Sequence, residues 1–275
     1  MNVLSNEEKS FVLSCLVEGN SLRATTRITG VHRTTILRLL GAIAERCEGL
    51  SEFLLSNVRT RFIQVDEIWT FVQKKQKRCT PDEQKAGEFA DQYVFVGIDA
   101  ETKLIPSYLV GKRDGQTAYQ FMRNLSKRIA GRFQLTTDAF RGYLDAVDFT
   151  FGTEIDYAQL KKLYNGNGNG HLREGYSPSD ITGTVPMPVN GKPKPESIST
   201  SYVERQNLTM RMQMRRFTRL TNAFSKKLKY LKCALALHFF YYNFMRIHET
   251  LRVTPAMEAG ITDHTWTWGE LLSEN

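Results

Sequence analysis

A chain of 275 residues, 41% of them hydrophobic, can bury a substantial core, and its length allows a catalytic domain with a small accessory one. Its four cysteines, Cys15, Cys47, Cys79 and Cys233, stand apart, so neither a disulfide framework nor a paired Cys-x-x-Cys zinc site is suggested and a reducing interior fits best. No basic leader precedes an apolar run and no stretch of about 18 apolar residues occurs, so a soluble, cytoplasmic protein without membrane attachment is expected. The net charge of +8 is concentrated: Arg205 to Lys232 holds nine Lys or Arg and no acid, leaving −1 for the rest of the chain. An uncompensated run of this kind is the electrostatic footprint of a polyanion such as nucleic acid.

In chain order, residues 1–50 read as three short helices. Ser5 and Glu8 have capping-box spacing, and Phe11, Val12, Cys15 and Leu16 follow at helical period until Gly19. Ser21 can cap a second helix that ends at Gly30, and Ile36, Leu37, Leu40 and Ile43 form the inward stripe of a third, from His32 to Cys47. This is a helix-turn-helix pattern. In that motif the start of the last helix faces the major groove, which nominates His32, Arg33, Thr34, Thr35 and Arg38 as DNA contacts.

After Ser51 the period changes. RFIQVDEIWTFVQ, YVFVGIDAE and LIPSYLVG read as three neighbouring, mostly antiparallel strands, GQTAYQFMRNLSKRIA as a helix, and FQLTTD as a fourth strand ending on Asp138. RGYLDAVDF adds a helix and TEIDYAQL a strand. The order corresponds to a ribonuclease H-like α/β domain, a mixed sheet flanked by helices, over residues 51–275. Residues 165–199, with NGNGNG and five of the eight prolines, read as a long flexible insertion. Beyond them STSYVERQNLTMRMQMRRFTRL and ALALHFFYYNFMRIH read as long helices, the first strongly basic.

Three acids carry chemistry in this arrangement. Asp66 lies inside the apolar strand FIQVDEIW, where an unpaired carboxylate is costly, Asp138 ends the fourth strand, and Glu204 opens the basic helix. The first and fourth strands of such a sheet lie side by side, so the three side chains are expected to converge as hard oxygen ligands for divalent cations. Glu67 adjoins Asp66 on a strand and should face the opposite way. Asp99 precedes the turn ETK, where turn chemistry explains it; nothing selects Asp145 or Asp156.

QVDEIWTFV, YVFVGIDAETKLIPSYLVGKRDGQTAYQFM, QLTTDAFRGYLDAV and STSYVERQNLTMRMQMRRFTRLTNAFSKK together resemble DDE transposases of the insertion sequence 1 family. The resemblance covers most of the chain and implies that Asp66, Asp138 and Glu204 are the catalytic triad, binding two Mg²⁺ or Mn²⁺ ions. It further implies a bacterial, nucleoid-associated enzyme that binds the terminal inverted repeats of a mobile element, cuts them and joins their 3′-hydroxyls to target DNA. Such an enzyme acts as a homodimer or larger assembly, because two ends must meet. Arg205, Arg211, Arg215, Arg216, Lys226 and Lys227 would hold backbone phosphates, and Gln206 and Asn207 would orient the substrate. YNFMRIHETLRVTPAMEAG resembles the ending of other transposases and retroviral-type integrases, at Asn243, Arg246 and His248. Two departures stand out: no cysteine pair forms an amino-terminal zinc element, and Ala139 follows Asp138 where glycine is expected. A related metal-dependent nuclease and a domesticated, non-catalytic DNA-binding regulator are the alternatives.

Overall fold

A computed structural model describes residues 4–85, 89–164, 181–218 and 221–273. Helix α1 (Asn6–Val17) starts on the expected capping box, with Ser5 and Glu8 each accepting from the other's backbone N–H. Ser21 caps α2 (Leu22–Thr29), and Gly30, at φ 72°, makes the left-handed turn that frees the chain for α3 (Arg33–Leu54). Helix α3 runs seven residues past Cys47, the end expected for it, because its apolar stripe finds partners elsewhere in the fold.

Strand β1 (Val58–Arg59) leads into β2 (Phe62–Val72); the short α4 (Pro81–Lys85) precedes β3 (Ala90–Asp99) and β4 (Ser107–Gly111). Helix α5 (Gly115–Ser126), capped by Asp114, is followed by β5 (Ile129–Ala130), β6 (Gln134–Asp138), α6 (Gly142–Phe151) and β7 (Asp156–Tyr164). The six-stranded sheet has the order β4-β3-β2-β6-β7 and then β8 (Ile181–Asn190), with β2, β6 and β7 parallel and β3, β4 and β8 antiparallel to their neighbours. This mixed sheet is compatible with a ribonuclease H-like fold, and β2 and β6 are neighbours as expected.

Strand β8 corrects the reading of residues 165–199 as one flexible insertion. Residues 165–180 lie outside the described residues, but 181–190 pair with β7 along the edge of the sheet. Pro186 and Pro188 obscured it in the sequence; proline cannot donate to a ladder, and an edge strand is where a sheet tolerates it.

The carboxy-terminal helices are α7 (Ser201–Gln213), α8 (Leu228–Phe240), α9 (Pro255–Glu258) and α10 (Trp268–Leu272), with a single π turn at Tyr241–Met245. The long basic helix expected here is interrupted: α7 stops at Gln213, and a 3-10 turn, Arg215–Phe217, tucks Phe217 into the core. Apolar contact outweighs continued helical hydrogen bonding at that point.

The alternation of β2 divides the interior. Ile63 and Val65 face α5 and α6, where Phe95, Phe121, Tyr143 and Tyr157 complete one core. Ile68 and Val72 face α7 and α8, with Val203, Met210, Leu235 and Phe239. A third core joins α1 and α3 to α8 through Leu13, Leu40, Cys47, Leu237 and Phe240. The four cysteines are free thiols, Cys15, Cys47 and Cys233 being buried.

Candidate active site

Asp66 lies on the β2 face that meets α7, opposite the end of β6: Val65 pairs with Thr137, so Asp66 and Asp138 are the next residues along two adjacent parallel strands. Parallel neighbours bring like positions together, and the two carboxylates converge as expected. Asp138 Oδ1 accepts from the Phe140 backbone N–H at 3.0 Å, and Arg113 Nη2 donates to its Oδ2 at 3.1 Å. Asn207 Nδ2 donates to Asp66 Oδ2 at 2.9 Å.

Glu67 joins them. Ligand oxygens of Asp66, Glu67 and Asp138 all lie within 4.8 Å of one another. Strand alternation does direct Glu67 to the other face, but β6 stops at Asp138, so no strand separates the two faces beyond it and a glutamate is long enough to come round. Its side chain is 2% exposed and 3.6 Å from Arg113 Nε, and its Oε1 has no hydrogen-bond partner among the described residues. The buried Tyr143 hydroxyl is close enough to influence Glu67, but the two do not meet with hydrogen-bond geometry.

Electrostatics record the crowding. Burial first, then the charge of Asp138, raises the Asp66 pKa to about 6. The same two causes push Glu67 well above the carboxylate range, against the pull of Arg113. For Arg113, burial works downward but Glu67 and Asp138 outweigh it, and its pKa rises.

Glu204 opens α7 beside this cluster but is not within it. Its Oε1 receives the ammonium of Lys162 at 2.6 Å and the Thr200 hydroxyl. Both Lys162 and Glu204 are felt at Asp66, with opposite sign. Burial depresses the Lys162 pKa, but the bond to Glu204 and its charge prevail and raise it. Lys162 lies on β7 two residues past the expected end of that strand, and Arg113 lies between the expected strand LIPSYLVG and the helix that follows it, so sequence reasoning missed both. No local signal marks Arg113, which follows Lys112 after a strand that bears no acid.

Gln206 and Asn207 are buried, and Gln206 Nε2 and Asn207 Oδ1 lack partners among the described residues. Arg205, Arg215, Lys226 and Lys227 are exposed, as phosphate contacts must be. Arg216 is not. It is half-buried, with Nη1 on Ser225 Oγ at 2.8 Å and its carbonyl accepting from Thr70, and burial lowers its pKa. Arg211 is partly buried. In the amino-terminal region His32, Arg33, Thr34 and Arg38 are exposed at the start of α3 and Thr35 is partly so; His32 caps the helix and bonds the Thr34 hydroxyl at 2.8 Å.

The competing acids are engaged elsewhere or exposed. Asp99 accepts from Glu101 N and Thr102 Oγ1, each at 2.9 Å, as turn chemistry requires. Asp156 pairs with Arg132, and Asp145 is exposed on α6. Asn243 is structural: it clasps both backbone groups of Ile105, at 3.0 and 2.9 Å.

No protein-family model and no curated protein matches this chain. A crystal structure of the Mos1 strand transfer complex is similar at 16% identity and a TM-score of 0.23, over 56% of this chain and 59% of that one. The chain thus spans somewhat over half the length of that structure's chain. No helix among the described residues is long and apolar enough to cross a membrane.

Proposed function

We propose that this chain is a DDE-type DNA transposase, akin to the insertion sequence 1 family, that binds the ends of a mobile element, cleaves them and joins their 3′-hydroxyls to target DNA. The observation that carries this reading is the convergence of Asp66 and Asp138 from adjacent parallel strands, where β6 ends and α7 brings Asn207 to Asp66. The donor set fits a hard divalent cation, Mg²⁺ or Mn²⁺: carboxylate oxygens close together, one of them buried without a hydrogen bond among the described residues, with the pKa values of Asp66 and Glu67 raised by burial first and then by the charge of Asp138, a repulsion that a cation would relieve.

Asp66 and Asp138, with Glu67 beside them, would hold one ion. Glu204, released from Lys162, would contribute to a second. Bound ions in such sites polarise the phosphodiester and make a water or hydroxyl nucleophilic near neutral pH. The protein's own part is positional and electrostatic. Exposed Arg205, Arg215, Lys226 and Lys227 would hold phosphates along the strand, a contact that weakens with salt. Residues 1–50, with Arg33, Thr34, Thr35 and Arg38 at the start of α3, would recognise the element ends as a helix-turn-helix. Joining two ends calls for a homodimer or larger assembly.

The test is joining of a labelled element-end duplex to a plasmid in Mg²⁺. Wild type is expected to yield joined product. Asp66→Asn, Asp138→Asn and Glu204→Gln are each expected to lose cleavage and joining to background while still binding the ends. Glu67→Gln should weaken Mg²⁺ about 10–100-fold, as supporting residues of metal sites do, and recover activity at high Mg²⁺. Cleavage without joining would make the protein a nuclease, and binding without either would make it a regulator; each result overturns the proposal.

A further inference from the structure

A cavity of about 300 Å³ opens beside the carboxylate site, between α7, the turn that links β3 to β4 and the loop after the π turn. At roughly 30 Å³ per liquid water its volume suits a polyatomic group rather than a single ion. Helix α7 supplies one wall through Tyr202, Arg205, Gln206 and Thr209, residues i, i+3, i+4 and i+7 of a single stripe. The adjoining stripe, Val203, Asn207 and Met210, faces the sheet and Asp66. Cavity and carboxylates therefore meet adjoining stripes of the same helix.

The lining chemistry is one-sided. Lys103, Arg205 and Arg246 bring three cations against one acid, Glu249. Gln206 is 3% exposed, and its Nε2, a donor, has no partner among the described residues. Lys103 sits at φ 60°, a left-handed conformation that costs a lysine energy, with its ammonium 3.4 Å above the Tyr202 ring. One of its donors goes to the Ala100 carbonyl, which leaves two of the three that an ammonium carries. Unused donors and excess positive charge around a roomy cavity select an anion with several acceptor oxygens.

We propose that this cavity binds a backbone phosphate of the DNA strand held at the carboxylate site, a few nucleotides from the reacting bond. The inference rests on the reading of the protein as a DNA transposase and adds the specific seat. Arg205 contributes from the same helix that carries Glu204, so strand position and carboxylate position are set together. Lys103 and Arg246 clamp the phosphate from the far wall, and Gln206 donates from beneath.

The experiment is fluorescence anisotropy of a labelled duplex on the full chain in EDTA, over a range of salt, so that no chemistry intervenes. Lys103→Gln and Arg246→Gln should each flatten the slope of log affinity against log salt by about 0.9, one phosphate contact apiece. Thr209→Trp, which fills the cavity without touching a charge, should weaken binding several-fold and flatten the slope as well. Arg123→Gln, exposed on α5 across the sheet, should leave it unchanged. Circular dichroism confirms that each variant is folded. If Lys103→Gln and Thr209→Trp are folded and keep the wild-type slope, the proposal is overturned. Calorimetry with inorganic phosphate separates the sources of the anion: phosphate binding that the variants abolish, with DNA affinity intact, would make this a small-anion site and overturn the strand assignment. Variants that show these slope changes, with a wild-type protein that never joins DNA, would sink the transposase reading alone. Joining with unaltered slopes would sink the seat alone.

Discussion

Asp66, Glu67 and Asp138 are brought closer than like charges settle in water, and the chain compensates with Arg113 on one side and Lys162, through Glu204, on the other. The cost is legible in Asp66. Its folded pKa of about 6 exceeds the ordinary value of 3.8, so the folded protein holds the proton more tightly than the unfolded chain. The stability linked to that proton is present at low pH, is lost as pH rises from about 4 through about 6, and stays lost above. In metal-free protein at pH 7.5, Asp66→Asn is therefore expected to raise Tm by a few degrees, at about 2–4 °C per kcal/mol for a chain of this size. The difference should shrink below pH 5. Scanning calorimetry in EDTA checks this, and a lowered Tm at pH 7.5 would mean that Asn207 or Lys162 stabilises the charge more than burial penalises it.

At the scale of the element, α7 decides where Glu204 stands, yet it has no cap of its own: Thr200 makes no capping bond to the helix backbone. Instead the N–H groups of Tyr202 and Val203 donate to Oε1 of the buried Gln64, at 2.8 and 3.3 Å. A side chain on β2, two residues before Asp66, thus satisfies the helix terminus and fastens it to the strand that carries the first carboxylate. Gln64→Ala should cost about 1–2 kcal/mol, the range for a lost cap or an orphaned buried donor. It should also lower joining activity at saturating Mg²⁺ with end binding retained. Urea unfolding together with the joining assay tests both, and a variant as stable as wild type would show that α7 is held by Val203 and Met210 alone. Further along, the break at Met214 turns Arg216 inward while Arg215 stays out, so a run of basic residues that looks uniform is divided between packing and surface.

Across the whole molecule, the amino-terminal helices and the sheet are joined more intimately than a linked pair of domains. Leu40, Ile43, Ala44 and Cys47 of α3 share one core with Ala236, Leu237 and Phe240 of α8, and Trp266 and Leu272 of the tail pack against it. Gly19, at φ 78°, lies so close to the end of α7 that a Cβ there would come within 2.6 Å of the Gln213 carbonyl. A fragment of residues 1–56 would leave that apolar face in water, which at about 25 cal/mol per Å² removes most of its reason to fold. It is expected to show little helix by circular dichroism, and to gain it only in the presence of the remaining chain. A cooperatively folded fragment would establish residues 1–50 as an independent folding unit.

Periodicity alone determined much of this. Helical spacing, caps at Ser5 and Ser21, and alternating strands are local signals, and the elements they mark up to β7 are present, as is the adjacency of Asp66 and Asp138 that follows from the strand order. Local signals do not extend to places where distant groups compete for one side chain. Glu67 joins the cluster because β6 ends beside it, and Glu204 turns to Lys162 because a strand two positions along the sheet supplies an ammonium within reach. Strand β8 overrides its prolines because an edge needs only half its hydrogen bonds, and α3 outruns its expected end because α8 covers its stripe. In each case the sequence specifies the group and its element, whereas its partner depends on distances that exist only once the chain has closed on itself.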